Sequence, residues 1–159
     1  MVDCGEKWGI SMFMGEYHHT IDDKGRIIIP SKFRDSLGEK FVVTRGLDNC
    51  LFVYSNDSFQ KIVEKLETLP FTKKDARLFM RFLLSGASEA EFDKQGRIHI
   101  SAPLISHASL LRECVIIGTG DRLEIWSESA WNDFFNSAKD NMSDIAENLF
   151  DGVDIHEAY

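Results

Sequence analysis

The sequence contains few cysteines, and their arrangement argues against both a disulfide framework and a zinc site. Cys4, Cys50 and Cys114 are odd in number, show no Cys-x-x-Cys spacing and have no histidine cluster nearby. Cys50 and Cys114 stand among apolar residues in strand-like segments, so we expect them to be small buried hydrophobic side chains. We therefore predict no metal ion and no other cofactor.

Long apolar runs are also absent. No stretch of about 18 apolar residues occurs, and the first residues, MVDCGEKWGIS, have neither a basic start nor an apolar segment. Neither a membrane-spanning helix nor a signal peptide is predicted from this pattern. We expect a cytoplasmic protein that has no membrane partner.

The histidines and nucleophiles do not form a pattern typical of catalysis. His18 and His19 are adjacent in a strand-like segment, and His99 alternates with isoleucines. No serine or cysteine stands in a setting typical of a nucleophile, and no Walker A or Rossmann signature occurs. We predict that the protein is not an enzyme and has no small-molecule substrate.

Basic residues are outnumbered by acidic ones, and the net charge of −8 at first disfavours a nucleic-acid partner. The distribution changes that conclusion. Residues 140–159 carry six acidic residues and no basic one, whereas residues 12–81 carry 12 basic and 10 acidic residues. We expect the acidic tail to be a solvated, mobile segment, so the net charge does not exclude DNA.

The sequence does contain an internal repeat. DDKGRIIIP at residues 22–30 returns as DKQGRIHIS at residues 93–101. After one inserted residue, VVTRGLDNCLFVYSNDSF at 42–59 aligns with CVIIGTGDRLEIWSESAW at 114–131. The matching segments keep their order along the chain, which chance similarity between short strands would not preserve. We interpret them as a duplication.

Both repeats have the same predicted elements. An extended segment enters an Asp-x-x-Gly-Arg turn, in which Gly25 or Gly96 supplies the positive φ that such a turn usually requires. A short strand, a short helix, a hairpin and a longer helix follow. The N-cap candidates of the longer helix are Ser55, Asn56 or Asp57 in the first repeat and Ser127 in the second. Another helix is predicted from Thr72 to about Leu84. The predicted organisation is an N-terminal extension at 1–11, a first repeat at 12–60, a helical connector at 61–84, a second repeat at 85–131, and a C-terminal helix with the acidic tail at 132–159.

A unit of about 45 residues is marginal as an independent fold, so we expect the two repeats to share one core. The expected architecture is a pseudo-twofold β-barrel in which strands of one repeat pair with strands of the other. This arrangement would bring Asp22–Arg26 and Asp93–Arg97 to a common face.

Two roles are open for the residues of the repeated turn. An aspartate at the turn start can accept backbone N–H bonds, and an arginine can pair with a carboxylate, so the motif can serve to hold the turn. Alternatively, Arg26 and Arg97 can contact phosphate or the edge of a guanine. Lys24 adds charge to the first turn, whereas Gln95 at the matching position can bond a base but cannot neutralise phosphate. We expect the two turns to contribute unequally.

The segments around the paired turns, together with VVTRGLD, RFLLSGA and GDRLEIW, resemble the two halves of the MraZ family. This family consists of bacterial transcriptional regulators encoded at the start of the division and cell-wall gene cluster. The resemblance covers roughly residues 12–135. The first residues, 1–11, precede it and are interpreted as an extension outside the fold.

The resemblance implies a mixed α+β, β-rich fold, built as a swapped-hairpin (double-split) β-barrel from two tandem SpoVT/AbrB-like repeats with flanking helices. It also implies a ring-shaped homo-oligomer that associates with the nucleoid and binds direct repeats in the promoter upstream of its own gene, repressing its own operon. Carried over by position, the family's DNA-contacting Asp-x-x-x-Arg motifs fall on Asp22 with Arg26 and on Asp93 with Arg97. This sequence has Ser101 where the first repeat has Pro30, which predicts a weaker helix start.

A subunit contact is expected from the apolar segment ARLFMRFLL at 76–84 and from the helix around Phe134 and Phe135. The candidate interface residues are Arg77, Phe79, Arg81 and Phe82. The aromatic residues can instead belong to the core of one chain, and the arginines can lie on a solvated helix face.

The second functional interpretation is an oligomeric scaffold or an antitoxin-like protein-binding module. An antitoxin needs a segment that binds its toxin, and the acidic stretch SDIAENLFDGVDIHEAY at 143–159 is the candidate.

Overall fold

The computed structural model describes residues 12–151. The structure divides after Glu128 into two compact units. The strands are β1 (Phe13–Thr20), β2 (Arg26–Ile28), β3 (Lys40–Arg45), β4 (Leu51–Ser55), β5 (Ser88–Glu91), β6 (Arg97–His99), β7 (Glu113–Gly120) and β8 (Leu123–Ser127). The helices are α1 (Ser31–Leu37), α2 (Asn56–Glu67), α3 (Lys74–Ser85), α4 (Ala102–Ala108), α5 (Glu128–Ala138) and α6 (Met142–Leu149), with a 3₁₀ turn at Lys139–Asn141.

The strands of the two repeats are interleaved in one large antiparallel sheet. Its strand order is β1-β7-β8-β4-β3-β5, and β2 pairs with β6 in a separate two-stranded ribbon. The first repeat supplies β1 to β4 and the second supplies β5 to β8, so the pairs β1–β7, β4–β8, β3–β5 and β2–β6 all join one repeat to the other. The order is unchanged when each strand is exchanged for its equivalent, which is the expected pseudo-twofold relation.

The sheet has two edges among the described residues. Its hydrogen-bonded order begins at β1 and ends at β5, so a closed barrel is not seen in the strand pairing of residues 12–151. The structure is a mixed α+β, strand-rich fold with a large antiparallel sheet.

The core is shared by the two repeats, as their size predicts. Ile27 and Ile98 face each other across the β2–β6 ribbon, and both are almost completely buried, with Ile29 and Ile100 beside them. Burying one such side chain contributes about 1.5–3 kcal/mol. Neither repeat could bury these side chains alone, because each repeat's isoleucines cover those of the other.

Cys50 and Cys114 are buried, as predicted from their apolar context. Burial raises the pKa of the Cys114 thiol to about 11, and burial also raises the pKa of Cys50. Both thiols therefore stay protonated at neutral pH, which makes them unreactive. Cys4 and the rest of the predicted extension lie outside the described residues.

The helix starts differ in one respect from expectation. Ser55 is the one of the three N-cap candidates that caps α2, since its hydroxyl accepts a hydrogen bond from the backbone N–H of Ser58 at 3.2 Å. Pro30 precedes α1 as its N-cap, and Ser101 occupies that position before α4. The weaker start expected at Ser101 does not shorten α4, which has the same length as α1. Pro103 in the first turn of α4 supplies the favourable backbone angle.

Residues 129–151 form the described part of the second unit. Trp131 packs against Phe134 with ring centroids 5.7 Å apart and against Phe135 at 6.1 Å. The expectation of a mobile tail from residue 140 needs correction, because Met142–Leu149 form helix α6. Among residues 12–151, no helix is long and apolar enough to cross a membrane.

Candidate nucleic-acid interface

The first Asp-x-x-Gly-Arg turn is held by the carboxylate of Asp22. Its Oδ1 accepts hydrogen bonds from the backbone N–H groups of Lys24 and Arg26, both at 2.9 Å, and its Oδ2 accepts one from Nε of Arg26 at 2.7 Å. Gly25 adopts a φ of 77°, in the left-handed region that favours glycine. One carboxylate therefore fixes both the backbone of the turn and the arginine that leaves it.

The second turn repeats this geometry. Oδ1 of Asp93 accepts from the backbone N–H groups of Gln95 at 2.9 Å and Arg97 at 2.8 Å, and Oδ2 accepts from Nε of Arg97 at 2.7 Å. Gly96 also has a φ of 77°. The structural role proposed for the aspartates is thus seen in both turns.

These hydrogen bonds stabilise the ionised form of both aspartates. The N–H bond from the Arg26 backbone is the largest cause lowering the pKa of Asp22, and the Arg97 backbone N–H has the same effect on the pKa of Asp93. Both carboxylates are therefore charged at neutral pH, and each neutralises part of its arginine's charge.

Each turn is attached to the other repeat. The backbone N–H of Ile100 donates to the carbonyl oxygen of Gly25 at 2.7 Å, and that of Ile29 donates to the carbonyl of Gly96 at 3.2 Å. A Cβ on Gly25 would stand only 2.7 Å from the Ile100 carbonyl oxygen. Each turn therefore has a backbone hydrogen bond to the other repeat in addition to the bonds that its own aspartate makes within it.

The β2–β6 ribbon brings the two arginines to one face. Ile27 and Ile98 point into the core, so the alternate positions, Arg26 and Arg97 among them, lie on the outer face. Nη1 of Arg97 is 3.9 Å from Oδ2 of Asp22 in the other turn. The four charged residues of the two motifs therefore form one cluster, which we call the paired-turn face.

The arginines keep donors available on this face. Asp22 and Asp93 bind the Nε atoms, and the side chains of Arg26 and Arg97 remain 34% and 24% exposed. The terminal nitrogens are the donors that pair bidentately with a phosphate or with O6 and N7 of guanine. Because a carboxylate already holds Nε, each arginine side chain is restricted before DNA binds. It therefore loses less conformational entropy on binding.

Gln95 and Lys24 differ in what they contact. Oε1 of Gln95 accepts a hydrogen bond from Nη2 of Arg97 at 3.1 Å, so Gln95 positions the arginine in addition to the base-contacting role considered for it. Lys24 is exposed at the tip of the first turn, where only its backbone contacts Asp22. The structure thus brings all six predicted DNA-contacting residues into the two adjoining turns.

Two further basic residues, Lys94 in the second turn and Arg34 on α1, lie at the second turn. Lys94 stands where the first turn has Asp23, and the guanidinium of Arg34 lies directly against Gly96, with its Nε donating to the Ile29 carbonyl at 2.9 Å. Arg34's equivalent, Ile105, packs against Gly25 instead. The second turn is therefore the more basic one, contrary to the comparison of Lys24 with Gln95 alone. The alignment of the repeats contained the Lys94 signal, but the contact of Arg34 required the structure.

The four predicted subunit-contact residues on α3 differ in their surroundings within one chain. The ring of Phe82 packs edge-on against His107, 5.6 Å between centroids, and lies under the Arg45 guanidinium, so it belongs to the contacts within one chain. Nη1 of Arg77 donates to the Phe71 carbonyl at 2.9 Å rather than to a carboxylate. The other two predicted residues, Phe79 and Arg81, are exposed, as are Leu78 and Leu84 on the same helix.

The histidine and acidic side chains show no metal centre within residues 12–151, where no cluster of three or more potential ligands occurs. Nε2 of His18 donates to a carboxylate oxygen of Glu16 at 2.8 Å, and its Nδ1 lies 3.5 Å from a carboxylate oxygen of Glu128. The hydrogen bond with Glu16 is the main cause raising the pKa of His18. These contacts join His18 of strand β1 to Glu16 on the same strand and to Glu128 at the start of α5.

Comparison with known protein families gives one result. A family model described as "MraZ protein, putative antitoxin-like" matches the chain twice, at residues 12–82 and 83–153. Each match contains one of the two turns, and together the matches span most of the 159 residues. The chain therefore belongs to the MraZ family and consists of two tandem copies of the family's repeat.

Proposed function

We propose that this protein is a sequence-specific DNA-binding transcriptional regulator and that the paired-turn face is its DNA-binding surface. The observation that carries the proposal is the juxtaposition of two identical Asp–Arg pairs, with Arg97 3.9 Å from Asp22 across the boundary between the repeats. Two prearranged guanidinium groups on one ribbon can pair with phosphate oxygens or with guanine edges of a duplex.

The acidic net charge does not oppose this function. The paired-turn face and its surroundings include Arg26, Lys94, Arg97 and the guanidinium of Arg34 against Gly96. Phosphate contacts from these residues would supply affinity that falls as salt rises, and base contacts from the arginines would supply sequence preference.

For the fold, we propose the swapped-hairpin barrel of SpoVT/AbrB-like repeats. The interleaved order of the sheet and the ribbon of β2 with β6 support it, since each repeat completes the other. The organisation into an extension at 1–11, repeats at 12–60 and 85–131, a connector at 61–84 and a C-terminal segment at 132–159 is part of the same proposal.

For the assembly, we propose a ring-shaped homo-oligomer on promoter direct repeats. One chain offers few phosphate contacts, but several paired-turn faces on one ring would engage successive repeats and gain avidity. The exposed Leu78 and Phe79 on α3 offer apolar surface for the subunit contact. We further propose a cytoplasmic, nucleoid-associated protein without enzymatic activity that represses its own operon in the division and cell-wall cluster.

An antitoxin-like protein-binding module is the second candidate. It is favoured by the wording of the family description and by helix α6, on which Met142, Ile145 and Leu149 are exposed at helical spacing. If a protein partner binds this helix, the functional surface lies in the second unit and not on the paired-turn face.

Fluorescence anisotropy tests the proposal. The protein is titrated into a labelled duplex from the region upstream of its own gene and into a shuffled duplex of the same composition, each at two salt concentrations. We expect tight, salt-sensitive binding to the upstream duplex and much weaker binding to the shuffled one. Equal weak binding to both would contradict a sequence-specific regulator and favour the protein-binding module.

A further inference from the structure

The outer face of the β2–β6 ribbon is not symmetric, although the backbone and the two turns are. Its four outward positions are Arg26 and Ile28 on β2 and Arg97 and His99 on β6. The pseudo-twofold relation exchanges Arg26 with Arg97, which are identical, and Ile28 with His99, which are not. One end of the face therefore differs chemically from the other.

The strand register decides where this difference lies. Arg26 stands opposite His99, and Ile28 stands opposite Arg97. Nε2 of His99 also lies close to the first turn, 3.7 Å from the position that a Cβ on Gly25 would occupy. The imidazole thus adjoins the Asp22–Arg26 pair, while an apolar side chain adjoins the Asp93–Arg97 pair.

Both side chains are accessible. His99 is exposed, and within residues 12–151 its ring has no hydrogen-bond partner. Ile28 is 38% exposed, although its neighbours in sequence, Ile27 and Ile29, are completely buried. An imidazole with free nitrogen atoms and an exposed isoleucine on the same ribbon are groups that could each contact a ligand.

The charges of the turns reinforce this polarity. The end that carries His99 has Asp23 and Lys24, whereas the other end has Lys94 and Gln95 at those positions and Arg34 against its glycine. A symmetric ribbon could be rotated by 180° without any change in the groups that it offers to a duplex. This ribbon cannot.

We propose that His99 contacts DNA beside Arg26, donating a hydrogen bond to a phosphate oxygen or to an acceptor on a base edge, and that Ile28 packs on the DNA beside Arg97. The two unlike side chains make the paired-turn face directional, so that each chain binds its site in one orientation. This inference rests on the proposed DNA-binding function. Apolar side chains in the major groove pack on the thymine methyl group, and imidazole N–H groups donate to acceptors on phosphates and bases.

The first test replaces His99 by isoleucine, the residue type found at the equivalent position of the first repeat, Ile28. His99→Ile should fold, because Ile28 occupies the same place on the other strand. We expect it to lose affinity for the upstream duplex by about 5- to 100-fold in anisotropy titrations. A similar loss on the shuffled duplex assigns the contact to phosphate, and a loss confined to the upstream duplex assigns it to a base edge. His99→Gln retains a donor and should recover part of the affinity.

Arg26→Ala, measured in the same titrations, distinguishes failure of the proposed His99 contact from failure of the proposed DNA-binding function. If Arg26→Ala loses affinity while His99→Ile binds both duplexes within twofold of wild type, His99 makes no contact and the inference is overturned. If Arg26→Ala also binds like wild type, the paired-turn face is not the DNA-binding surface.

The second test measures orientation directly. Ser31 and Ala102 are exposed equivalents beside the two ends of the ribbon. In a Cys4→Ser background, Ser31→Cys or Ala102→Cys carries an iron chelate that cleaves nearby DNA. We expect each reagent to cleave on one side of every site, and the two reagents to cleave on opposite sides. Equal cleavage on both sides by either reagent would overturn a directional face.

Discussion

The backbone N–H of Ile100 donates to the carbonyl oxygen of Gly25 at 2.7 Å, which ties the strand of the second repeat to the turn of the first. The reciprocal bond runs from Ile29 to Gly96. Each Asp–Arg pair is therefore positioned by the other repeat, and neither turn should keep its geometry in an isolated repeat. This mutual dependence leads from the duplicated sequence to a single paired-turn face.

Replacing Gly25 by alanine should destabilise the fold strongly. The φ of 77° is unfavourable for alanine by about 1–2 kcal/mol, and the new Cβ would also press on the Ile100 carbonyl at 2.7 Å. Gly120 is the matched control, because its φ of 89° is also positive but nothing lies within 4 Å of its Cβ position. Urea unfolding at one protein concentration should give a larger loss for Gly25→Ala than for Gly120→Ala. Equal losses would contradict the close approach at Gly25.

The two turn aspartates should contribute to acid sensitivity. Their pKa values are lowered in the folded state, from an ordinary value of 3.8, mainly by backbone N–H bonds. The stabilisation is therefore present above pH 3.8 and is lost as the pH falls through the lower folded-state values. In urea unfolding as a function of pH, Asp22→Asn with Asp93→Asn should lose less stability than wild type over this acid range. An identical pH dependence would mean that the carboxylates do not hold the turns in solution.

The second turn should contribute more phosphate contact than the first. Lys94 and Asp23 occupy equivalent positions with opposite charge. We expect Lys94→Asp to weaken DNA binding and to reduce the slope of log affinity against log salt by about one, whereas Asp23→Lys should strengthen binding. Each variant changes the net charge by the same amount in opposite directions. If both have wild-type affinity and salt dependence, these positions lie away from the phosphates.

Deletion of residues 140–159 should leave DNA binding intact. The segment has no lysine or arginine and six acidic residues, so its removal takes away repulsion and no phosphate contact. Anisotropy titrations of the truncated and the full chain on the upstream duplex provide the comparison. Lost affinity would mean that the segment containing α6 takes part in binding, and it would favour the protein-binding interpretation of this region.

The repeat made much of the fold predictable from the sequence. The alignment of Gly25 with Gly96 located both turns, and the small size of each repeat predicted a shared core with strands paired between repeats. The exact partners and edges of the sheet depend on contacts between residues far apart in sequence, for which local patterns carry no signal. Helix α6 was missed because the acidic character of the tail outweighed the spacing of Ile145 and Leu149.

The site was predictable to a similar degree. The Asp-x-x-Gly-Arg pattern at Asp22–Arg26 predicted the turn, but not that one carboxylate serves the backbone and the arginine together; the DNA contact there was implied by the resemblance and stays a prediction. The contact of Arg34 with Gly96 joins different repeats and has no local signature. The asymmetry between Ile28 and His99 is visible in the sequence, yet its meaning depends on the register that places His99 opposite Arg26.

The most direct measurement is the DNA affinity of the double variant Arg26→Ala with Arg97→Ala. Lys61→Ala with Lys65→Ala on helix α2 removes the same charge outside the two turns and serves as its control, and circular dichroism establishes that both variants are folded. We predict that the arginine variant loses affinity for the upstream duplex by about 30-fold or more, whereas the lysine variant changes it far less. Wild-type affinity in the folded arginine variant would contradict the assignment of DNA binding to the paired-turn face.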